Sequence, residues 1–190
     1  MQDGLADGRS ENHDGHVPDF RGGMTMTKEP MSDPVRKNRV LLCVLDGSEE
    51  LSIALHYASM RSLRTGARVG LLYVLEQADE FGHWASVAAL MREEARAEAE
   101  RLLLQAAEVV KRLSGQTPIL YISEGEPSQA VIDLINEDRD IAFLILAADT
   151  EGQDPGPLVT QITSRHIGSL HIPVVVVPGN MSDDEIRSFA

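Results

Sequence analysis

The sequence of 190 residues has one cysteine, a deficit of positive charge and no long apolar run. The single Cys43 excludes an intramolecular disulfide and so a disulfide-stabilised secreted domain, and a reducing compartment, the cytoplasm, is expected. Lys and Arg number 17 against 30 Asp and Glu, and the resulting charge of −13 argues against nucleic-acid or anionic-membrane partners. The longest apolar run, 141–148, has eight residues, whereas a membrane-spanning helix needs roughly 20.

Several enzyme signatures are also absent. No Gly-x-Gly-x-x-Gly follows the first predicted strand, and there is neither a Gly-x-x-x-x-Gly-Lys-Ser/Thr phosphate loop nor a Gly-x-Ser-x-Gly nucleophile elbow. No group of cysteine, histidine and carboxylate residues has the spacing of a metal site. Cys43 lies within an apolar run, which is typical of a buried hydrophobe rather than a thiolate nucleophile. We therefore expect no catalytic residue, no metal and no enzymatic activity.

Both ends of the sequence differ from its middle. Residues 1–38 are rich in glycine, proline and polar side chains, and they have neither periodicity nor the apolar core of a signal peptide. We expect them to form a disordered leader. Residues 179–190 follow a Pro-Gly stop and are expected to be a polar C-terminal tail. The segment 39–178 is the predicted domain.

Apolar runs and amphipathic stretches alternate regularly along this domain. The apolar runs predict five strands, and apolar residues three or four positions apart predict four helices between them. The predicted strands are 40–45, 69–75, 119–122, 141–146 and 172–177. The predicted helices begin near Ser48, Trp84, Pro127 and Leu158. Strands that are apolar on both faces indicate an open parallel sheet with helices on both sides, and the valine-rich fifth strand would be an edge that invites a second copy.

Three segments are predicted to meet beyond the carboxyl ends of the strands, where open parallel sheets bind ligands. They are residues 46–48, 124–126 and 147–156. Asp46 directly follows the first strand. It could accept hydrogen bonds from a ligand amine or ribose, or it could cap the first helix together with Ser48. The sequence leaves both roles open.

The segment 149–157 predicts a poor phosphate loop. Such a loop needs consecutive main-chain N–H donors, and the prolines at 155 and 157 each remove one. The segment has three carboxylates and no lysine or arginine to offset them: Asp149, Glu151 and Asp154. The N–H groups of residues 158–160 remain, so a site for a small anion and an ordinary helical turn are both open interpretations.

Five segments of the domain resemble those of the universal stress protein family, in the same order along the chain. They are Val44-Leu45-Asp46-Gly47-Ser48, Leu71-Leu72-Tyr73-Val74, Glu124-Gly125-Glu126-Pro127, Asp140-Ile141-Ala142-Phe143-Leu144 and Ile172-Pro173-Val174-Val175-Val176-Val177-Pro178. The resemblance implies a Rossmann-like α/β fold, with an open five-stranded parallel sheet of order 3-2-1-4-5 and helices on both faces. It also implies a homodimer formed through the last strand, Pro173 to Val177.

The family's ATP-binding members carry Gly-x2-Gly-x9-Gly-Ser/Thr after strand four, and this motif is degenerate here. Its positions fall on Ala147, Thr150, Thr160 and Gln161, whereas the acidic residue of the adenine side is matched by Asp46. A shifted alignment would use Gly152 and Gly156, with Gln-Asp-Pro between them. The candidate nucleotide-binding residues that the resemblance implies are Asp46, Val74, Gly125, Ala147, Thr150, Gly156, Thr160 and Gln161.

Three functions are weighed on this basis. The first is a cytoplasmic, dimeric, non-enzymatic stress-response protein that binds ATP weakly or not at all, has no cofactor and takes another small ligand or none. The second is a stress regulator that binds ATP or AMP through Asp46 and loop 147–161. The third, an ATP-dependent enzyme of the related α/β class, is disfavoured because its Ser-Gly-Gly-x-Asp loop is absent.

Overall fold

The computed structural model describes residues 39–76, 85–152 and 154–190. The predicted leader, 1–38, and the predicted start of the second helix at Trp84 lie outside the described residues. The strands are β1 (Val40–Leu45), β2 (Arg68–Leu75), β3 (Ile119–Glu124), β4 (Ile141–Ala148) and β5 (Val174–Pro178). They form one sheet of order β3-β2-β1-β4-β5, and every neighbouring pair is parallel. The predicted strand order is confirmed.

Helices connect the strands and cover both faces of the sheet. They are α1 (Leu51–Thr65), α2 (Ala85–Ser114), α3 (Pro127–Glu137), α4 (Pro157–Gln161) and α5 (Asp183–Phe189). The chain after α4 stays helical but changes its winding, with a π-type turn at Ile162–His166 and a 3-10 turn at Ile167–Ser169. Among the described residues, no helix combines the length and the apolarity needed to cross a membrane.

The core has two layers because successive side chains of a strand point to opposite faces of the sheet. In β1, Leu41, Cys43 and Leu45 pack on one side with α1, α2 and α5. Val40, Leu42 and Val44 pack on the other side with α3 and α4. All six side chains of β1 are buried, as expected for the central strand of a sheet that is covered on both faces.

Local sequence signals place most helix ends correctly. Gly66 ends α1 in the left-handed conformation, with φ of 73°, and its N–H donates to the carbonyl of Ser62. Pro127 occupies the first turn of α3, behind Glu126 as the N-cap residue. The predicted cap of α1 is wrong: the helix begins at Leu51, and the N-cap residue Glu50 makes no side-chain capping bond.

Residues 179–190 are not an extended polar tail. Ser182 and Glu185 form a reciprocal capping box that starts α5. Ile186 is completely buried in the core beside α1, and the Nδ1 atom of His56 on α1 lies 3.1 Å from the carboxylate of Asp183. Arg64, near the end of α1, donates to the carbonyl oxygen of Ala190 at 2.7 Å. The last helix is therefore part of the packed domain.

Candidate functional site

A cleft of about 950 Å³ opens at the carboxyl end of the sheet. It lies where the strand order switches, because β2 and β3 continue from β1 on one side and β4 and β5 on the other. Residues after β1, β2 and β4, the starts of α3 and α4, and one face of α2 line this carboxyl-end cleft. Its charged lining residues, as far as the structure describes the chain, are all acidic: Asp46, Glu50, Glu76, Glu126 and Asp149. An anion would therefore enter against negative charge.

Asp46 lines the cleft and shapes the turn after β1. Its Oδ1 accepts a hydrogen bond from the N–H of Ser48 at 3.0 Å, and Gly47 between them has a positive φ of 75°. This Asx turn bends the chain out of the sheet before α1 begins at Leu51. Asp46 is exposed, so its carboxylate can take a ligand donor while it holds the turn. Of the two roles that the sequence leaves open for Asp46, capping α1 is not observed, because the N-cap residue is Glu50.

Ser48 places an unsatisfied hydroxyl beside the cleft. Its Oγ is buried and has no hydrogen-bond partner among the described residues, and Ser48 lines the cleft. Buried hydroxyls almost always have a partner, in the protein, in water or in a ligand. The orphaned Oγ therefore marks a position at which a polar ligand atom would be stabilised.

The carboxylate of Asp149 occupies the main-chain donors of the loop after β4. Its Oδ1 accepts from the N–H of Glu151 at 2.7 Å and from the N–H of Gly152 at 3.2 Å. These are the groups that a phosphate would use in a functional phosphate loop. The N–H of Asp149 itself donates to the carbonyl of Pro155 at 3.2 Å. The loop is closed by its own acidic side chain.

The carboxylate of Asp154 likewise occupies hydrogen-bond donors, at the start of α4. Its Oδ1 accepts from the N–H of Gly156 at 3.0 Å and from the Oγ1 of Thr160 at 2.7 Å. The N–H of Thr160 donates to the carbonyl of Gly156 at 3.0 Å. Of the three N–H groups that the sequence left for an anion, at least that of Thr160 is already bonded. Neither glycine of the shifted alignment offers a free main-chain donor.

Glu126 lines the cleft, but its carboxylate is committed to α3. It accepts from the N–H of Ser128 at 3.0 Å, from the Oγ of Ser128 at 2.7 Å and from the N–H of Gln129 at 2.8 Å. Partial burial opposes its ionisation, but these hydrogen bonds outweigh that effect and keep the pKa of Glu126 below its ordinary value. Glu126 is therefore an anionic helix cap and lacks the raised pKa of a general acid.

The eight candidate residues separate into two groups. Five line the cleft: Asp46, Val74, Ala147, Gly156 and Gln161. Three are outside its lining and are used locally. The N–H of Gly125 donates to the carbonyl of Leu75 on the neighbouring strand β2, Thr150 lies in the bend beside Asp149, and the Oγ1 of Thr160 donates to Asp154.

Sequence reasoning missed the wall that α2 contributes. Leu102, Gln105, Ala106 and Val109 lie at helical spacing and line the cleft. The periodicity of α2 predicted an apolar face, but it could not show which part of that face reaches past the sheet into the cleft. Glu76 was also missed, although its position directly after β2 follows the same rule that selected Asp46.

The described residues contain neither a reactive thiol nor a cluster that could hold a metal ion. Cys43 is fully buried in β1, and burial raises the pKa of its thiol to about 12, so it stays protonated. In the described ranges, no group of three or more histidine, cysteine or carboxylate side chains is placed to hold a metal ion.

The fold is a doubly wound α/β domain with a cleft at its strand-order switch. The family model described as the universal stress protein family matches residues 37–178, and the chain belongs to that family. The fold and the resemblance inferred from the sequence are thus confirmed. A comparison with curated proteins found no match.

Solved structures share this fold. The universal stress protein UspA from Lactobacillus plantarum is 19% identical, with a TM-score of 0.63 over 73% of this chain and 97% of that chain. A universal stress protein in complex with cAMP is 13% identical, with a TM-score of 0.52 over 75% and 98%. A universal stress protein from Archaeoglobus fulgidus in complex with dAMP is 15% identical, with a TM-score of 0.53 over 74% and 98%.

Proposed function

We propose that this chain is a cytoplasmic, non-enzymatic, dimeric stress-response protein whose carboxyl-end cleft binds an adenine nucleoside or monophosphate and binds ATP weakly or not at all. The observation that carries this proposal is the closed loop 149–156, in which Asp149 and Asp154 occupy the N–H groups that phosphates would need. A ligand with no phosphate or only one does not need the N–H groups of that loop, and it can still bind the rest of the cleft.

The nucleoside side of the cleft has the groups that such a ligand needs. Asp46 offers an exposed carboxylate to an amine or a ribose hydroxyl, and Ser48 offers an unsatisfied hydroxyl nearby. Apolar side chains such as Val74 and Leu102 supply surface for a base. Two structural neighbours are described as complexes with cAMP and with dAMP, which supports a ligand of this size.

ATP meets a different environment. At a separation of 4 Å, each like-charge pair costs about 1 kcal/mol even in bulk water, and more where water is partly excluded. Among the described residues, the lining holds five carboxylates and no lysine, arginine or histidine to offset them. We therefore expect each added phosphate to weaken binding.

Calorimetric titration with adenosine, AMP and ATP tests the proposal. Adenosine and AMP should bind measurably, and ATP at least about tenfold more weakly, since two like-charge contacts cost roughly 2 kcal/mol. Asp46→Asn retains the oxygen that accepts from Ser48 but loses the charge, whereas Asp46→Ala loses both. Both variants should weaken adenosine binding, and Asp46→Ala should weaken it more.

Asp184→Asn is the matched control, because Asp184 is an exposed carboxylate on α5, away from the cleft. It should leave the affinity for adenosine unchanged. If ATP binds as tightly as AMP, or if none of the three ligands binds, the proposal is wrong.

The second candidate is a stress regulator that binds ATP or AMP through Asp46 and loop 147–161. It is favoured by the N–H groups of Leu158 and Val159, which lie in the first turn of α4 at the cleft. This candidate predicts tight binding of ATP in the same titration, and it predicts that adenosine alone binds less well than ATP.

The proposed homodimer rests on the edge strand β5. This strand pairs with β4 on one side only, and Val176 is 39% exposed although it belongs to a valine run. The exposed Phe189 of α5 lies in the same apolar surface, together with Val175 and Met181. An unprotected apolar edge of this kind favours pairing with a second copy.

Light scattering on Val176→Lys tests the dimer. A charge on the edge strand should convert the protein to monomers, because the lysine would have to be desolvated in the interface. Leu104→Lys is the control, since Leu104 is 58% exposed on α2 and far from β5. A monomeric wild-type protein, or a Val176→Lys variant that stays dimeric, would reject this interface.

A further inference from the structure

A second pocket lies at the opposite end of the sheet, where the strands begin. It has a volume of about 480 Å³ and a floor of Leu41, Ala67 and Phe143. Its charged lining residues within the described ranges are three arginines and no carboxylate: Arg39, Arg61 and Arg64. This amino-end pocket is unusual in a chain that carries a net charge of −13.

Two different parts of the chain bring the arginines together. Arg39 directly precedes β1, whereas Arg61 and Arg64 are three residues apart in the last turns of α1 and so share one side of that helix. The negative end of the α1 dipole offsets part of their mutual repulsion. The ion pairs of the described residues are His56–Asp183, Arg96–Glu100 and Arg101–Glu98, so no Asp or Glu side chain pairs with these three guanidinium groups there.

Two of the three guanidinium groups are held in place. Arg64 donates from Nη1 to the carbonyl of Ala190 at 2.7 Å and from Nη2 to the carbonyl of Arg187, so the end of α5 anchors it. The guanidinium carbon of Arg61 lies 5.4 Å from the centre of the Phe143 ring, at the distance of a cation–π contact. The side chains of Arg61 and Arg64 are therefore already ordered, and ligand binding need not restrict them further.

Arg61 also carries an unsatisfied donor. Its Nε is buried and has no hydrogen-bond acceptor among the described residues. A buried guanidinium N–H without an acceptor is costly, and an oxyanion is the partner that its planar fork fits best. The missing acceptor and the unpaired arginines point to the same ligand chemistry.

We propose that the amino-end pocket binds a small oxyanion attached to an apolar group. The oxyanion would accept from Arg61 and Arg39, and the apolar group would lie on Leu41, Ala67 and Phe143. This site is separate from the carboxyl-end cleft, and it does not depend on the function proposed for that cleft.

Phenyl phosphate and inorganic phosphate are the probes, titrated into the full chain and followed by amide chemical shifts. Phenyl phosphate should shift amides of residues 39–41 and 61–67, and inorganic phosphate should bind the same residues more weakly because it lacks the apolar group. The affinity should fall as salt rises, since the attraction is electrostatic. Shifts confined to residues 46–48 and 149–161 would place the probe in the other cleft and overturn the proposal.

Arg61→Ala should lower the affinity for phenyl phosphate at least about tenfold, because a charge-assisted hydrogen bond is lost. Arg61→Lys retains the charge but loses the fork, so an intermediate loss is expected. Arg112→Ala is the matched control, because Arg112 lies in the last turn of α2 and is exposed. Equal affinity in Arg61→Ala and Arg112→Ala, or no shift at millimolar phenyl phosphate, would overturn the proposal.

Discussion

The two ends of the sheet carry opposite charge. In the part of the chain that the structure describes, five carboxylates and no basic residue line the carboxyl-end cleft, and three arginines and no acidic residue line the amino-end pocket. The fold alone would place an anionic ligand at the carboxyl end, where parallel sheets bind phosphates. In this chain the side chains reverse that preference, so fold type does not determine which end attracts an anion.

The two ends of the sheet also differ in whether their hydrogen-bond donors already have acceptors. At the carboxyl end, the N–H groups of Glu151, Gly152 and Gly156 are bonded to aspartates of the same loop. At the amino end, the buried Nε of Arg61 has no acceptor among the described residues. At the carboxyl end, aspartate side chains thus take the donors that an anion would use, whereas at the amino end one such donor has no acceptor among the described residues. This contrast is what the following predictions test.

The largest expected effect concerns the closure of the amino end by α5. Ile186→Ala should lower the free energy of unfolding by about 3 kcal/mol, which is within the range measured when a buried isoleucine is truncated to alanine. The side chain is completely buried, and its loss leaves a cavity beside α1. Urea denaturation measures the change.

Arg187→Ala is the control for that measurement, because Arg187 lies on the same helix, is exposed and is outside the apolar surface proposed for the dimer. It should change the free energy of unfolding by less than about 0.5 kcal/mol. Equal effects of the two substitutions would mean that α5 is not packed as described and that Arg64 is not anchored by it. Adenosine binding at the other end should survive Ile186→Ala under native conditions.

The second prediction concerns the closed loop at the carboxyl end. The double variant Asp149→Asn with Asp154→Asn keeps oxygen acceptors for the loop N–H groups but removes two negative charges. ATP binding should strengthen about tenfold or more, since each charge costs roughly 1 kcal/mol at contact distance. Calorimetry on the wild type and the variant measures the change.

Glu151→Gln serves as the control for this variant, because it removes a charge from the same loop but leaves both aspartates in place. A smaller gain than in the double variant is expected. No gain from the double variant would show that the aspartates do not exclude phosphate. Phenyl phosphate binding at the amino end should be the same in all three proteins.

Much of the fold could be predicted because its signals are local. The apolar run of β1 and the valine run of β5 indicate strands by themselves, and Gly66 and Pro127 mark helix ends through conformations that those residues favour. The capping box Ser182-x-x-Glu185 is an equally local signal for α5. It was missed because the stretch after it is short and mostly polar, and only the buried Ile186 shows that it packs.

The sites were predicted less completely because they depend on contacts between distant residues. The rule for parallel sheets found Asp46 and the loop after β4, which together border the cleft. It could not show that Asp154 bonds the hydroxyl of Thr160, six residues away, and so occupies that donor. Arg39, Arg61 and Phe143 have no sequence relation that would group them, and only the arrangement of β1, α1 and β4 does so.

The smallest expected effect concerns Glu126, the cleft carboxylate that caps α3. Its folded pKa lies below the ordinary value of 4.5, so the bonded carboxylate stabilises the fold at higher pH. That contribution should be lost as pH falls from above 4.5 through the lower folded pKa, because the unfolded chain then binds the proton first. Glu126→Gln should abolish this part of the pH dependence and cost less than about 1 kcal/mol at neutral pH, because glutamine keeps an acceptor oxygen but loses the negative charge at the helix N-terminus. Denaturation at pH 7 and at pH 3, each measured for both proteins, checks it, with Asp133→Asn on the same helix as the control. If wild type and Glu126→Gln lose equal stability between the two pH values, the carboxylate is not the cap, and it would remain available to a ligand in the cleft.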